Sequence, residues 1–485
     1  MSRGRSISTV LASAFLAALA AFLISTALAQ GGGEKRGTLA RPAVTTGQPQ
    51  ARWWGPPADV RAMLNRISPR NLQQDVQTLV GFGTRHTASS QTDPVRGIGA
   101  AGDWLFTQLQ ADAAASGGAM TVQRQSFVQP VTAHIPVPTT ITNILATLTG
   151  TDPTAAPRIY VVSAHYDDRV SDLLNFTADA PGADADASGV AAVLELARVM
   201  AAHPAKATIE FALFDGEEEG LFGSAFSAAQ LKANGKDVQA DLNMDVIGNS
   251  LGDNGVRDPN TIRLYSEGVP PTATANQLAT IETAGGENDS ASRELARFIA
   301  ETGPSNATRM NVDLVPRRAP LLGGSDHLSF NQQGYPAVDY SEANEDFNHV
   351  DQDVRVQNGV QFGDLPEFLD YGYLTRATRL VGSSLAALAR APEAPVNLVE
   401  HTATANPGGS NTVSLTWNAN PESDIVGYEV VWRNSIDQTW THVIPVGNVT
   451  SFTIASPNRN VALFGVRAID SAGDLSPVAF PTIGT

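Results

Sequence analysis

Three buried-strand runs that alternate with helical patterns place the strongest constraint on the fold of this chain. The strand runs lie at 158–164, 208–214 and 243–247, and apolar residues recur at helical spacing over 189–202 and 224–233. Strands that alternate with helices favour an α/β fold with a mostly parallel, mixed sheet flanked by helices on both faces. In such a sheet, sites form at the carboxyl ends of the strands.

The N-terminal region has the pattern of an export signal. Arg3 and Arg5 precede a short apolar run that ends in small residues at Ala29. This order predicts a signal peptide over residues 1–29, cleaved near Ala29, and hence a secreted or periplasmic protein without stable membrane insertion after cleavage. The alternative is an uncleaved anchor, for which the apolar run is short. Residues 30–56, rich in Gly, Pro, Thr and Gln, are expected to form a flexible lead-in.

The remaining 430 or so residues are long enough for two domains. We expect a catalytic domain over 57–391 and a second domain over 395–485, where alternating runs predict a small antiparallel β-sandwich. Trp417 and the Val466–Asp470 strand, followed by Ser-Ala-Gly, resemble a fibronectin type III module. A spacer role is favoured for it over contact with a surface or polysaccharide. Further predicted elements are helices at 58–80, 97–115, 290–301 and 371–391 and strands at 261–265 and 335–340.

Composition excludes several classes of function. The chain has no cysteine, which removes thiolate metal sites and cysteine nucleophiles from consideration. Its formal net charge of −17 disfavours nucleic acid as a partner.

Potential metal ligands follow the ends of the first and second strand runs. His165 and Asp167 lie two residues apart and share one face of a strand, so that the carboxylate could orient the imidazole. The loop at 181–189 then carries two acids, Asp184 and Asp186, just before a helix. Asp186 also suits a helix N-cap, which is the simpler explanation for that loop.

A cluster of acids follows the strand run at 208–214. Asp215 is followed by Glu217, Glu218 and Glu219, and clustered carboxylates of this kind are stabilised by a metal ion. Asp245 stands inside the third strand run, where an acid usually has a partner. His349 follows the strand at 335–340. These hard oxygen and nitrogen donors suit zinc, with manganese or cobalt as substitutes.

With these residues in view, the sequence resembles the dizinc exopeptidases that include bacterial leucyl aminopeptidases and aminopeptidase Y. The resemblance extends over roughly 60–390. It rests on His165-Tyr-Asp167, Gly182-Ala-Asp184, Ala187-Ser-Gly189, Gly216-Glu-Glu218, Asn243-Met-Asp245, Ser325-Asp-His327 and Asn348-His349.

The resemblance implies two zinc ions and a role for each matched residue. His165 and Asp245 would hold one ion, Glu218 and His349 the other, and Asp184 would bridge them. Glu217 would be the general base and Asp167 the partner of His165, while Glu219 is expected at the surface. The substrates would be peptides or proteins with a free N-terminus.

Three positions depart from the family pattern: Ala185 where an acid is common, Leu322 where some members have tyrosine, and Val350 where threonine is usual. Three alternatives stay open. A carboxypeptidase could use Arg317 and Arg318 to bind a substrate carboxylate. A glutaminyl-cyclase-like enzyme shares the implied fold with a single zinc, and a receptor or adhesion protein would have lost Glu217 or its ligands.

Overall fold

The computed structural model describes residues 55–284, 286–321, 323–401, 412–455 and 460–484. The predicted signal peptide, all but the last two residues of the predicted lead-in, and Leu322 lie outside these ranges. Within them, no helix combines the length and apolarity needed to span a bilayer.

Each predicted helical region contains a helix, although the region at 58–80 holds two, and the helices Ala275–Ala284 and His327–Gln332 were not predicted. Side-chain caps fix several helix starts: Ser68 accepts a hydrogen bond from the backbone N–H of Asn71 ahead of Pro69, and Asp370 accepts one from Tyr373. The helices are α1 (Ala58–Leu64), α2 (Pro69–Gly81), α3 (Ile98–Ala115), α4 (Ala187–Met200), α5 (Phe222–Ala233), α6 (Ala275–Ala284), α7 (Ala291–Thr302), α8 (His327–Gln332) and α9 (Tyr371–Arg390).

Eight strands form one mixed sheet, as expected. They are β1 (Met120–Gln129), β2 (Thr139–Leu148), β3 (Arg158–His165), β4 (Thr208–Phe214), β5 (Asp237–Met244), β6 (Thr261–Ser266), β7 (Asn311–Val315) and β8 (Ala337–Glu342). Their order is β1-β2-β4-β3-β5-β8-β6-β7, and the central pairs β4–β3, β3–β5 and β5–β8 are parallel. The β1–β2 hairpin was not predicted. Asp245 follows β5 rather than lying inside a strand, which corrects that expectation.

Helices cover both faces of the sheet. Because side chains alternate along each strand, every second residue packs against the helices on one face and the others pack against those on the opposite face. In β4, Phe211 and Leu213 pack into the larger core with α2, α3, α4 and α9, whereas Ala212 and Phe214 pack into a smaller core with α5 and α8. The central strands are therefore apolar on both sides, which explains their uninterrupted apolar runs.

The parallel central strands bring four chain segments to one edge of the sheet. His165 ends β3, Asp215 follows β4, Asp245 follows β5, and Glu342 ends β8. Because parallel strands end at the same edge, residues far apart in the chain, from His165 to Glu342, come to the same edge of the sheet.

The C-terminal region forms two small sheets around one apolar cluster. Trp417 packs edge-on against Tyr428 with the ring centroids 5.5 Å apart, and strands of both sheets contribute to the cluster. Its identity as a fibronectin type III module remains a prediction. After a short hairpin of β9 (Arg355–Gln357) and β10 (Val360–Phe362), the strands are β11 (Val399–His401), β12 (Thr412–Thr416), β13 (Ile425–Asn434), β14 (His442–Gly447), β15 (Ser451–Ala455), β16 (Ala462–Asp470) and β17 (Thr482–Gly484).

Ion pairs with little exposure fasten this C-terminal region to the catalytic part. Asp289 accepts from Arg297 at 2.7 Å and also pairs with Arg433 of β13. Glu294 of α7 accepts from Trp440 Nε1 at 3.1 Å and from the backbone N–H of Val478 at 3.0 Å. The side chains of both arginines and both acids are at most 9% exposed. The C-terminal sheets are thus docked against α7.

We expect Asp289→Asn to destabilise the whole chain. The change would leave Arg297 and Arg433 buried without their shared counter-charge, at a cost of about 3 kcal/mol in the free energy of unfolding. Urea unfolding followed by circular dichroism measures this. Asp103→Asn is the matched control, since Asp103 and Arg124 pair at the surface, and it should change the free energy by less than about 0.5 kcal/mol. Equal effects of the two substitutions would contradict the importance of the buried pair.

Candidate metal centre

His165, the last residue of β3, lies at the centre of the site with its imidazole buried. Its Nδ1 lies 3.2 Å from the carbonyl oxygen of Asp167. Its Nε2 faces Oε2 of Glu217 at 3.9 Å and Oδ1 of Asp245 at 3.8 Å. Both separations exceed a hydrogen bond. They are slightly wider than the about 3.4 Å that separates two donors on one tetrahedral zinc ion.

Asp167 ties the ends of β3 and β4 together. One of its carboxylate oxygens accepts the backbone N–H of Glu217 at 3.2 Å, and the other accepts that of Glu218 at 3.0 Å. The first oxygen also lies 3.6 Å from Nδ1 of His165. Burial opposes the charge of this carboxylate, but His165 and the two backbone donors outweigh it and lower the pKa of Asp167. Asp167 is therefore placed to orient both the imidazole and the glutamate turn.

Glu217 and Glu218 occupy an environment that disfavours their charge. Burial raises the pKa of each well above the usual range, and Asp351 raises that of Glu218 further while Arg169 opposes it. His165, Glu217 and Glu218 can bring one donor atom each within 4.8 Å of the others, and so can His165, Asp186 and Asp245. A divalent cation at His165 would stabilise the ionised carboxylates.

Of the two acids in the loop before α4, the structure brings Asp186 to His165. Asp186 accepts the backbone N–H of His165 at 3.3 Å and caps α4 by accepting from Gly189 at 2.9 Å. Asp184, the predicted bridging ligand, instead accepts the backbone N–H of Gly248 at 2.8 Å. Asp186 is thus both the N-cap of α4 and a candidate metal ligand. The family resemblance gave it neither role.

His349 is also held away from the cluster around His165. Its Nδ1 lies 2.9 Å from the carboxylate of Asp346, its Nε2 lies 3.2 Å from the carbonyl oxygen of Gln361, and its ring stacks on Phe368. Two residues later, Asp351 accepts a hydrogen bond from Arg169 at 2.6 Å.

Arg169 joins Asp351 to the glutamate turn. Its Nε donates to Glu218 at 2.6 Å, so one guanidinium contacts two carboxylates. Sequence reasoning missed Arg169, Asp186 and Asp351. The second acid in the loop before α4 and the acids after His349 were visible, but nothing in the local sequence indicated which would point inward.

Glu219 is not at the surface, and that prediction is wrong. Its side chain is buried, with Oε1 3.1 Å from Nδ1 of His86, and neither carboxylate oxygen has a hydrogen-bond partner among the described residues. Asp326 and His327 are buried as well, and Nε2 of His327 lies 2.9 Å from the carbonyl oxygen of Arg318. Burial lowers the pKa of His327 to about 4, which favours a neutral ring.

The donor set fits zinc. A catalytic zinc takes three nitrogen or oxygen ligands from the protein and leaves a fourth position open, and His165, Asp186 and Asp245 form such a set. Burial raises the pKa values of Asp186, Glu217 and Glu218, and a cation beside them would stabilise their ionised forms. Fold and donor set together define a metal-dependent hydrolase of the α/β class.

Comparisons with known proteins agree with that class. Residues 143–358 match the model of peptidase family M28. A "Probable zinc metalloprotease" of Pyrenophora teres f. teres is 43% identical over 430 residues, 88% of this chain and 87% of the relative. One of the same description from Pyricularia oryzae is 46% identical over 88% of this chain and 85% of the relative. The LapA aminopeptidase of Legionella pneumophila is 21% identical over 68% of this chain and 74% of its own, with a TM-score of 0.46.

The chain belongs to peptidase family M28 and is a zinc metallopeptidase. This confirms the resemblance drawn from the motifs. The likeness to LapA is too loose to decide which peptide bond is cleaved.

We expect Asp167→Asn to weaken zinc binding about 10- to 100-fold, because the partner of a ligating histidine sets its orientation and basicity. The dissociation constant, measured by competition with a chromophoric chelator, tests this. Asp179→Asn is the control, since Asp179 pairs with Arg96 at the surface and should leave the constant unchanged. An unaltered zinc affinity in the Asp167 variant would remove Asp167 from the centre.

Proposed function

We propose that this protein is a secreted aminopeptidase that removes N-terminal residues from peptides. The observation that carries the proposal is an acidic pocket of about 430 Å³. His349 lines it, and Leu369, another lining residue, borders Gly248, the hydrogen-bond donor to Asp184. Asp346, Glu367 and Asp370 contribute negative charge to its wall.

The wall of this pocket suits an amino terminus better than a carboxylate. Its arginine, Arg257, is already paired with Asp370 at 3.3 Å. The remaining acids attract a substrate ammonium group, and Leu251 and Phe368 offer apolar surface to the first side chain. A carboxypeptidase would need a free cation here. Arg317 and Arg318, the residues considered for that role, are exposed and do not line the pocket.

Glu217 is the proposed general base. A zinc ion at the centre would supply an activated water and polarise the scissile carbonyl. The carboxylate of Glu217 lies 3.9 Å from Nε2 of His165, where it would accept a proton from that water and deliver it to the leaving amine. Asp167 holds the backbone of Glu217 in place during both transfers.

The other predictions stay part of this proposal. The resemblance implies two zinc ions, with manganese or cobalt as substitutes. In support, a donor of His165 lies within 4.8 Å of donors of Glu218 in one group and of Asp245 in another. Peptides or proteins with a free N-terminus are the proposed partners, nucleic acid is not, and the C-terminal sheets could contact a surface or polysaccharide. Export rests on the N-terminal pattern of Arg3, Arg5 and Ala29.

Glu217→Gln should lower kcat by at least about 100-fold, because the amide cannot accept the proton of the water. Metal content, measured by mass spectrometry of the purified protein, should be unchanged. Glu287→Gln, a change of the same chemistry at an exposed residue, is the control and should leave kcat as it was. Full activity in the Glu217 variant would assign the base elsewhere.

Peptides with blocked ends test the direction of cleavage. We expect hydrolysis of free peptides and of peptides amidated at the C-terminus, and loss of hydrolysis after N-acetylation, because the acetyl group removes the ammonium charge that the pocket would bind. Liquid chromatography of the products identifies the residue released. Cleavage that persists after N-acetylation and stops after C-terminal amidation would indicate a carboxypeptidase.

A further inference from the structure

Arg169 brings a fixed positive charge into the metal centre. Its guanidinium donates to Oε2 of Glu218 and to Oδ2 of Asp351, each at 2.6 Å. The side chain of Glu218 is 9% exposed, and those of Arg169 and Asp351 are 24% exposed, so solvent only partly screens the contacts. Short charge-assisted hydrogen bonds to two carboxylates hold the guanidinium firmly, and they occupy the oxygens that a second metal ion would need.

The other residues expected around a second ion do not converge with Glu218. His349 lies with Nε2 3.2 Å from the carbonyl oxygen of Gln361 and with Nδ1 2.9 Å from the carboxylate of Asp346. Among the described residues, neither His349 nor Asp184 belongs to a group of three donors within 4.8 Å of one another, and Ala185 has no side-chain donor atom. Glu218 converges with His165 and Glu217, which the first ion and the general base require, and a second zinc ion would share its carboxylate with a cation that repels it. One ligand is too few, since protein zinc sites use three or four.

A single ion, by contrast, finds a complete set of ligands that includes His165. The donors of His165, Asp186 and Asp245 converge within 4.8 Å, and Glu217 faces the same imidazole without being part of that group of three. Three protein ligands with a neighbouring base form the usual arrangement of a catalytic zinc with an open position.

We infer that this peptidase binds one divalent ion per chain, at His165, Asp186 and Asp245, and that the guanidinium of Arg169 takes the place of the second ion. The inference rests on the proposed function in requiring a metal-dependent peptidase, and it changes the predicted ligand set. Arg169 is then a positioning residue: it neutralises Glu218 and Asp351 and keeps the Glu218 carboxylate turned from the ion.

Metal stoichiometry tests the inference. The full chain is stripped with chelator, incubated with excess zinc, passed through a desalting column and analysed by inductively coupled plasma mass spectrometry. We expect one zinc per chain. Two tightly held ions per chain would overturn the inference but leave the proposed function intact, whereas a chain that retains no zinc would overturn the metal-dependent function itself.

Variants assign the ion to its ligands. Asp186→Asn should lose the bound zinc, and His349→Ala should keep one ion with an unchanged dissociation constant. Loss of zinc from the His349 variant, or retention of full affinity in the Asp186 variant, would overturn the ligand set. Circular dichroism spectra that match the parent identify the variants that have folded.

Arg169→Gln removes the charge while keeping a hydrogen-bond donor. Without the guanidinium, Glu218 and Asp351 become available together, and we expect a second, weaker zinc ion that titrates after the first in isothermal calorimetry. The matched control is Arg96→Gln, because Arg96 pairs with Asp179 at the surface and should leave the count at one. A count of one in the Arg169 variant would show that the guanidinium does not exclude the second ion.

Discussion

The carboxylate of Asp167 is the contact on which the rest of the site depends. It receives the backbone N–H groups of Glu217 and Glu218 and stands beside Nδ1 of His165. Two adjacent strands of the sheet are thereby locked at their ends, and the imidazole on one strand is fixed relative to the glutamates after the other. Because this acid is buried and gains three polar neighbours, it is held charged, and its orientation is determined by backbone rather than by mobile side chains.

Much of the fold could be predicted from hydrophobic periodicity. The central strands are buried on both faces, and their apolar runs mark them clearly. β1 was missed because it alternates exposed and partly buried residues and lies at the sheet edge, where the apolar pattern is weakest. The position of Asp245 was misjudged by one residue for a related reason. An apolar run, Val246 and Ile247, continues past the last residue of β5, so the pattern does not mark the strand end.

The site residues at strand ends could be predicted, because strand pairing fixes their positions. The site residues in loops could not be predicted from the sequence alone. The ends of β3 and β4 position three of these residues: His165 is the last residue of β3, and Glu217 and Glu218 come just after β4. The parallel pairing of the two strands brings His165 close to the two glutamates. The loop before α4 offers acids at 184 and 186, and the choice between them depends on which one caps the helix. Arg169 and Asp351, which form a hydrogen bond, are 182 positions apart in the sequence. Only the assembled fold reveals a contact of that kind.

The docking of the C-terminal sheets on α7 has a consequence for how this protein can change over evolutionary time. The sequence suggests two separable parts, yet the polar groups that join them are divided between the two. Asp289 and Glu294 lie on one side, and Arg433 and Trp440 lie on the other. Lys206 adds another such contact by pairing with Asp424 and Asp470. A C-terminal segment exchanged with that of another protein would have to bring matching partners at the same positions. An exchange of one part without the other would leave these partly or fully buried polar groups without partners.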